Sequence, residues 1–282
     1  MSYGGRSREM LENVSVDSLA KLAGVIDGAN EIALEGHEFR ALSAQLNFLR
    51  PKPEAEQERI FRSALIVSGN YGETELMEEL MDYSELAAKH LPALADQLRA
   101  DSSALSPSMA LMNTVSHTPY FARFLKTPGG QGIAALHVKH MAQDPTVGAL
   151  DADSIGEATQ FLSTLLLLQG IADVEQADKT ALMPKLRSWV QVYRGQFAAE
   201  TSSRCIASLT SDPTMRTHMI QVKALLEESL HKCGSTNCGL SASNGGGQLL
   251  QCSRCKSAVY CSQEHQKQAW RSHKATCFQV TF

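Results

Sequence analysis

Eight residues able to bind a metal ion lie in the last fifth of this 282-residue chain. Six of them are cysteines, whereas the preceding 232 residues contain a single cysteine, Cys205. The eight residues are Cys233, Cys238, Cys252, Cys255, Cys261, His265, His273 and Cys277. Zn²⁺ accepts thiolate sulfur and imidazole nitrogen together, and it prefers four ligands in a tetrahedron. The sequence therefore predicts two bound zinc ions.

Disulfide bonds are the other explanation for clustered cysteines, and they require an oxidising compartment. The first nine residues have no apolar stretch after their basic residues, so the sequence predicts an intracellular protein of the nucleus, the cytoplasm or both. Disulfides also do not explain why His265 and His273 are spaced regularly with the cysteines. Zinc accounts for both observations.

Eight ligands can be shared between two ions either in sequence or in an interleaved manner. In chain order the ligand pairs are Cys233 with Cys238, Cys252 with Cys255, Cys261 with His265, and His273 with Cys277. The last two pairs have i, i+4 spacing, which places each pair on one face of a helix. A compact interleaved solution gives the first and third pairs to one ion and the second and fourth to the other. The spacing alone leaves a sequential pairing open.

All eight coordination positions are filled by the protein, so neither ion keeps an open position for water or substrate. A catalytic zinc needs such a position. A segment of about 50 residues buries too little apolar surface to fold alone, and metal binding provides the missing folding free energy. Residues 232–282 are therefore predicted to form a binding module rather than a reaction centre.

The order Tyr260-Cys261-Ser262, His265-Gln266, Trp270, His273-Lys274 and Cys277 closely resembles the MYND-type zinc finger over roughly residues 233–277. The resemblance implies the interleaved pairing. One Zn²⁺ then has Cys233, Cys238, Cys261 and His265, and the other has Cys252, Cys255, His273 and Cys277. The chain departs from the commonest pattern at two points. Four residues separate Cys233 from Cys238, where two are commonest, and His265 stands where many members carry cysteine. Both departures keep a competent ligand.

The same resemblance implies a target, namely short proline-containing peptide segments of partner proteins. In the family, a glutamine and a tryptophan that match Gln266 and Trp270 line a shallow groove. These residues are four apart on one helical face, and they offer an amide and a flat apolar ring to a peptide backbone. In the alternative interpretation, Trp270 only covers the zinc core and Gln266 is solvated. The preferred prediction is a protein-interaction adaptor, with a role in transcriptional regulation implied by the resemblance.

The charge distribution gives limited support to nucleic-acid binding. Residues 233–282 contain five basic residues and one acid, whereas the rest of the chain contains 21 basic and 29 acidic residues. A basic zinc module can contact phosphates, but five charges over a small domain are modest and the spacing differs from that of DNA-reading fingers. The sequence therefore disfavours nucleic acid as the partner, and weak binding to it remains an alternative.

Two enzyme-related alternatives depend on other zinc modules. MYND-like fingers occur in lysine methyltransferases of the SET class, but the Asn-His-Ser/Cys and Gly-Glu-Glu segments of that fold are not found in this sequence. The ligand gaps also fit a ubiquitin-ligase RING finger less well than a MYND finger. The chain is therefore predicted to be no enzyme, with a SET-less methyltransferase relative or a ligase-associated factor as alternatives.

The sequence before the finger predicts a mainly α-helical protein. Residues 1–12 are predicted to be a flexible N-terminus and residues 13–231 an α-helical domain, either a helical bundle or an armadillo-like solenoid. Apolar residues recur at steps of three and four, and no alternating run indicates a strand. Predicted helices cover roughly residues 14–27, 30–49, 54–68, 76–98, 107–126, 130–142, 154–172, 180–199 and 215–230.

Individual residues refine these helices. Ser106 before Pro107 and Asp153 before Ser154 are the expected N-caps. Pro92 is expected to kink or split the helix over 76–98. His137 and His140 lack a third ligand in register and are expected to be exposed or capping. The run Leu165–Leu168 is too short for a membrane span.

Overall fold

A computed structural model of the chain describes residues 74–236, 238–244 and 249–282. The flexible segment predicted for 1–12 and the helices predicted for 14–27, 30–49 and 54–68 lie outside these residues. In chain order, the helices before the finger are α1 Thr74–Ala100, α2 Pro107–Thr114, α3 Pro119–Phe124, α4 Ile133–Gln143, α5 Ala152–Gln169, α6 Gln176–Val192, α7 Phe197–Thr210, α8 Pro213–Leu226 and α9 Glu228–His231. The mainly α prediction is confirmed.

Helix α1 buries the apolar stripe that its spacing predicts. Its buried side chains include Tyr83, Leu91, Leu94 and Leu98. The expectation that Pro92 splits this segment is wrong, because α1 runs through it as one helix. Proline lacks the N–H that would bond the carbonyl four residues earlier. That carbonyl belongs to Ala88, and it instead accepts the backbone N–H of Thr281, with N and O 3.2 Å apart.

The single helix predicted for 107–126 is wrong, because the structure divides it into α2 and α3. Ser106 is the N-cap of α2 as predicted, since its hydroxyl accepts the N–H of Met109 at 3.2 Å. Thr118 then adopts an extended conformation, which the residue before a proline prefers. The new helix starts at Pro119, and the hydroxyl of Thr118 accepts from Phe121 at its N-terminus.

Three more boundaries differ from the prediction, one of them because the helix predicted for 215–230 is divided into α8 and α9. The helix predicted for 180–199 ends at Val192, and Gly195 has a φ of 79°, a left-handed conformation that favours glycine. Helix α7 follows and was not predicted. The N-cap of α5 is Asp151 rather than Asp153, because the Asp151 carboxylate accepts the N–H of Ser154 at 2.8 Å.

Helices α4 to α7 form two stacked pairs. Helix α4 packs on α5 and α6 on α7, while α4 also packs on α6 and α5 on α7. These contacts are compatible with both alternatives of the prediction, the solenoid and the plain bundle. At the α5–α7 contact, the hydroxyls of Thr159 and Thr201 are 2.6 Å apart and Cys205 donates its S–H to the Thr159 carbonyl. Burial raises the pKa of the Cys205 thiol, which keeps it protonated.

His137 and His140 are buried, so the expectation that they are exposed or capping is wrong. The ring of His137 packs edge-on against Phe161, with centroids 5.1 Å apart, and its Nε2 lies 3.0 Å from the carbonyl oxygen of Ala158. Burial lowers the pKa of His137 to about 4. The neutral ring therefore joins α4 to α5 as a packing residue.

The finger continues the hydrophobic core of the helices. The same buried cluster contains Leu91 of α1, Tyr120 and Phe124 of α3, and Tyr260 and Val280 of the finger segment. Among the described residues, no helix combines the length and the apolar character that crossing a membrane requires.

Candidate metal centre

A short β-hairpin positions the ligands of the middle of the finger. Strand β1, Leu250–Gln251, pairs antiparallel with β2, Val259–Tyr260. Between them the N–H of Cys252 donates to Ala258 and the carbonyl of Cys252 accepts from Lys256, each at 2.9 Å. Lys256 has a φ of 51°, which tightens the turn. This turn places Cys252 and Cys255 side by side.

Helix α10, Gln263–His273, carries both histidine ligands. Ser262 is its N-cap, and its hydroxyl accepts the N–H of His265 at 3.2 Å. Cys261 lies just before the helix, within one turn of His265, while His273 is its last residue and Cys277 follows a 3₁₀ turn over Lys274–Thr276. One helix therefore connects the two ligand clusters.

The first cluster consists of Cys233, Cys238, Cys261 and His265. The sulfurs of Cys238 and Cys261 are 3.7 Å apart, and Nδ1 of His265 lies 3.6 Å from the Cys233 sulfur and 2.9 Å from the Cys261 sulfur. An isolated bridge between Cys233 and Val259 joins this cluster to the hairpin.

The second cluster consists of Cys252, Cys255, His273 and Cys277. The sulfurs of Cys252 and Cys277 are 3.7 Å apart, and Nε2 of His273 lies 3.5 Å from the sulfur of Cys255. Three of these residues are buried, whereas three of the four in the first cluster are only partly buried. The second site is therefore the more enclosed one.

The two clusters fit tetrahedral zinc. In each, the four ligand atoms all lie within 4.8 Å of one another. With Zn–S near 2.3 Å and Zn–N near 2.0 Å, a regular tetrahedron has ligand–ligand edges of about 3.5–3.8 Å, which most of the distances match. The interleaved pairing is confirmed and the sequential one is wrong. All seven cysteines are free thiols, and sulfurs 3.7 Å apart are far beyond the ~2.05 Å of a disulfide bond.

Backbone amides prepare one sulfur of each site for the thiolate form. Burial acts to raise the pKa of Cys233, but hydrogen bonds from the N–H groups of Ser235 and Cys261 outweigh it and lower the pKa to about 7. In the second site, burial acts to raise the pKa of Cys252, but the backbone N–H groups of Cys255 and Arg254 lower it. Burial and the neighbouring thiolates raise the pKa of Cys277 to about 11. Three thiolates within one cluster repel one another, so a divalent cation is needed to hold them together.

Tyr260 lies between the two clusters. Its side chain is buried, and its ring packs edge-on against His273 with centroids 6.0 Å apart. Burial raises the pKa of Tyr260, and thiolates of both clusters, among them Cys233 and Cys252, raise it further. Gly234 lies so close to the ring that an added Cβ would be 3.1 Å from it. The ring is thus the apolar centre of the finger.

Gln266 and Trp270 lie on the outer side of α10. They line a shallow depression of about 520 Å³ together with Gln263 and Lys267, which the sequence analysis did not single out. Spacings of three and four residues along α10 were the signal that could have identified them. Trp270 is 44% exposed, and its ring contacts His273 edge-on with centroids 5.9 Å apart. A zinc ligand therefore supports one wall of the depression.

Two residues of α3 approach the second cluster, and no sequence pattern indicated them. The hydroxyl of Tyr120 donates to the carbonyl of Thr276 at 2.6 Å and accepts the N–H of Phe278 at 2.8 Å. These two residues flank the ligand Cys277. Burial lowers the pKa of Arg123, while the nearby Cys255 thiolate raises it. Arg123 of α3 is therefore within electrostatic reach of the second cluster.

Two curated proteins are similar to a short part of this chain. A 29-residue segment is 59% identical to Egl nine homolog 1 of Homo sapiens and covers 10% of this chain and 7% of that protein. The mouse protein of the same name, from Mus musculus, is 55% identical over an equal length and equal shares. The match thus spans under a tenth of the curated relatives' length. No solved structure is significantly similar to the chain.

The model of the MYND finger family matches residues 231–277. That range contains all eight ligands and the helix that joins the two clusters. The family is a non-catalytic interaction domain, in agreement with coordination spheres filled by protein side chains. The C-terminal segment of this chain is a MYND finger with two zinc sites, a module for protein–protein interaction.

Proposed function

We propose that the protein is an intracellular adaptor whose finger docks a short proline-containing peptide of a partner protein at Gln266 and Trp270, in transcriptional regulation. The observation that carries the proposal is an exposed tryptophan that a zinc ligand holds in place. Its ring lies beside the depression on α10, whose other lining residues are polar. A flat apolar ring next to an amide suits a proline ring and the adjoining peptide carbonyl.

The charge around the depression adds a preference. Lys267 lines it and is exposed. Opposite charges across an interface increase the association rate and select among partners. The proposed ligand is therefore a proline-containing segment with acidic residues beside the proline.

We expect Trp270→Ala to weaken the binding of such a peptide at least about tenfold, because truncation of an aromatic anchor costs about 2 kcal/mol or more and each 1.4 kcal/mol is about tenfold in affinity. The peptide is first selected from a library of proline-containing sequences on the zinc-loaded full chain. Its affinity is then measured by titration calorimetry for the wild type, for Trp270→Ala and for Gln266→Ala.

Arg271→Ala is the matched control, since Arg271 is exposed on the same helix but does not line the depression. We expect it to change affinity less than about threefold at physiological salt, as rim charges act mainly on association rates. All three variants must retain two zinc ions per chain. Equal affinities of wild type and Trp270→Ala would assign Trp270 to packing on the zinc site alone.

A further inference from the structure

The segment that follows the last zinc ligand lies against the helical domain. Beyond Cys277, Phe278 donates its N–H to Tyr120 of α3, and Thr281 donates its N–H to Ala88 of α1. The ring of Phe282 packs edge-on against Phe124, with centroids 5.2 Å apart. Val280 is buried, and its N–H reaches the carbonyl of Arg254 in the finger at 3.4 Å. Residues 277–282, named here the latch, therefore contact both parts of the molecule.

The latch contacts α1 at the carbonyl of Ala88, which has no hydrogen-bond donor from within the helix. Pro92 leaves the Ala88 carbonyl without its helical donor, and a buried carbonyl without a partner is destabilising. The N–H of Thr281 takes that place at 3.2 Å, and its hydroxyl lies 3.3 Å from the Lys89 carbonyl oxygen. The 3₁₀ turn over Lys274–Thr276 also packs on α1. The integrity of α1 around Pro92 thus depends on the position of the latch.

The position of the latch depends on the second zinc site. Cys277 is both a ligand of that site and the first residue of the latch. Tyr120 holds the backbone on both sides of Cys277, and Arg123 places a positive charge near Cys255. Three thiolates and one neutral histidine around Zn²⁺ carry a net charge of −1, which the guanidinium offsets. Near the first site, an exposed contact joins α9 to the segment that follows α3, with Nζ of Lys126 3.1 Å from Nε2 of His231, two residues before the ligand Cys233.

We propose that residues 277–282 couple zinc occupancy of the site formed by Cys252, Cys255, His273 and Cys277 to the folding of α1, so that the finger is a zinc-dependent cap on the helical domain. Zinc binding orders Cys277, which places the Thr281 N–H on the Ala88 carbonyl. By linkage, the folded helical domain must strengthen zinc binding at this site by the same factor. The helical domain and the peptide-docking finger then act as one rigid unit whose integrity follows the metal.

The first test is amide hydrogen exchange of the full chain, with two zinc ions bound and after their removal by a chelator. The proposal expects residues 84–100 of α1 to lose protection at least about tenfold on zinc removal. Helix α6, whose main contacts are with α4 and α7, is expected to keep its protection. Unchanged protection in α1 overturns the proposal, and so does equal loss in α1 and α6, which would indicate global unfolding.

The second test is a double-mutant cycle between Thr281 and Pro92. Thr281→Pro removes both the N–H and the hydroxyl that donate to the Ala88 carbonyl, and α1 is expected to open about tenfold more often. Pro92→Ala restores an N–H four residues after Ala88 within the helix, so in that background Thr281→Pro should change the opening less than about threefold. Gln279→Ala, at an exposed position of the latch, is the control and should have no effect.

The cycle separates the proposal from a general loss of stability. If Thr281→Pro has the same effect in both backgrounds, the Ala88 carbonyl is not the point of coupling and the proposal is wrong. Tyr120→Phe tests the other end, because it keeps the ring and removes both hydrogen bonds beside Cys277. Zinc release to a chromophoric chelator should then accelerate in one of two kinetic phases, and equal acceleration of both phases, or of neither, overturns the proposal.

Discussion

Replacement of one ligand, Cys255→Ser, is expected to remove zinc from the second site and to lower the melting temperature of the full chain by about 10 °C. Structural zinc contributes ~10–16 kcal/mol in small fingers, so the loss of one thiolate removes most of the folding free energy of the module. Because Cys277 and the latch lose their anchor, part of that loss reaches α1. A loss of about 3 kcal/mol corresponds to such a shift in a domain of this size.

The measurement combines metal analysis with differential scanning calorimetry. Cys205→Ser is the matched control, since Cys205 is buried in α7 and lies in neither ligand cluster. Serine can keep the hydrogen bond to the Thr159 carbonyl, so this variant should bind two zinc ions and lose only about 1 kcal/mol. Two tightly bound zinc ions in Cys255→Ser would contradict the ligand assignment.

Tyr260→Ala is expected to destabilise the finger by about 3–5 kcal/mol, the usual cost of truncating a buried aromatic side chain. The ring contacts His273 and lies against Gly234, next to Cys233. Its loss opens a cavity between the two clusters, so both sites should release zinc faster although every ligand is still present. Competition with a chelator, monitored at equilibrium and over time, measures this effect.

The hydroxyl of Tyr260 is expected to contribute less to the stability of the finger than the ring does. Tyr260→Phe keeps the ring and is expected to cost under about 1 kcal/mol, with zinc affinities close to those of the wild type. The pair of variants therefore separates apolar packing from polar interaction. If the phenylalanine variant loses as much zinc as the alanine variant, the hydroxyl rather than the ring supports the sites.

The metal ligands could be predicted from the sequence because zinc imposes both residue type and spacing. Cysteine and histidine at i, i+4 intervals have few other uses in a chain with so few cysteines. The interleaving of Cys261 and His265 with Cys233 and Cys238 could not be derived from spacing, because it depends on how β2 and α10 pack. The family resemblance implied it, and the positions of the side chains confirmed it.

The helix boundaries could be predicted less accurately from the sequence, because short-range signals compete with one another. Thr118 with Pro119 and Gly195 each end or start a helix, but the apolar periodicity continues across them. Pro92 predicted a helix break that the structure does not have. The hydrogen bond that α1 loses at Pro92 is replaced by one from Thr281, nearly two hundred residues away along the chain. Tyr120 and Arg123 were missed for the same reason, as only the tertiary fold brings α3 to the second zinc site.

The central claim is that two zinc ions, each with four protein ligands, build the finger as a docking surface. Zinc X-ray absorption spectroscopy of the full chain, combined with metal analysis, tests it most directly. We expect two zinc ions per chain, each with three sulfurs at about 2.3 Å and one nitrogen at about 2.0 Å. A single zinc per chain, or an oxygen ligand from water at either ion, would contradict it.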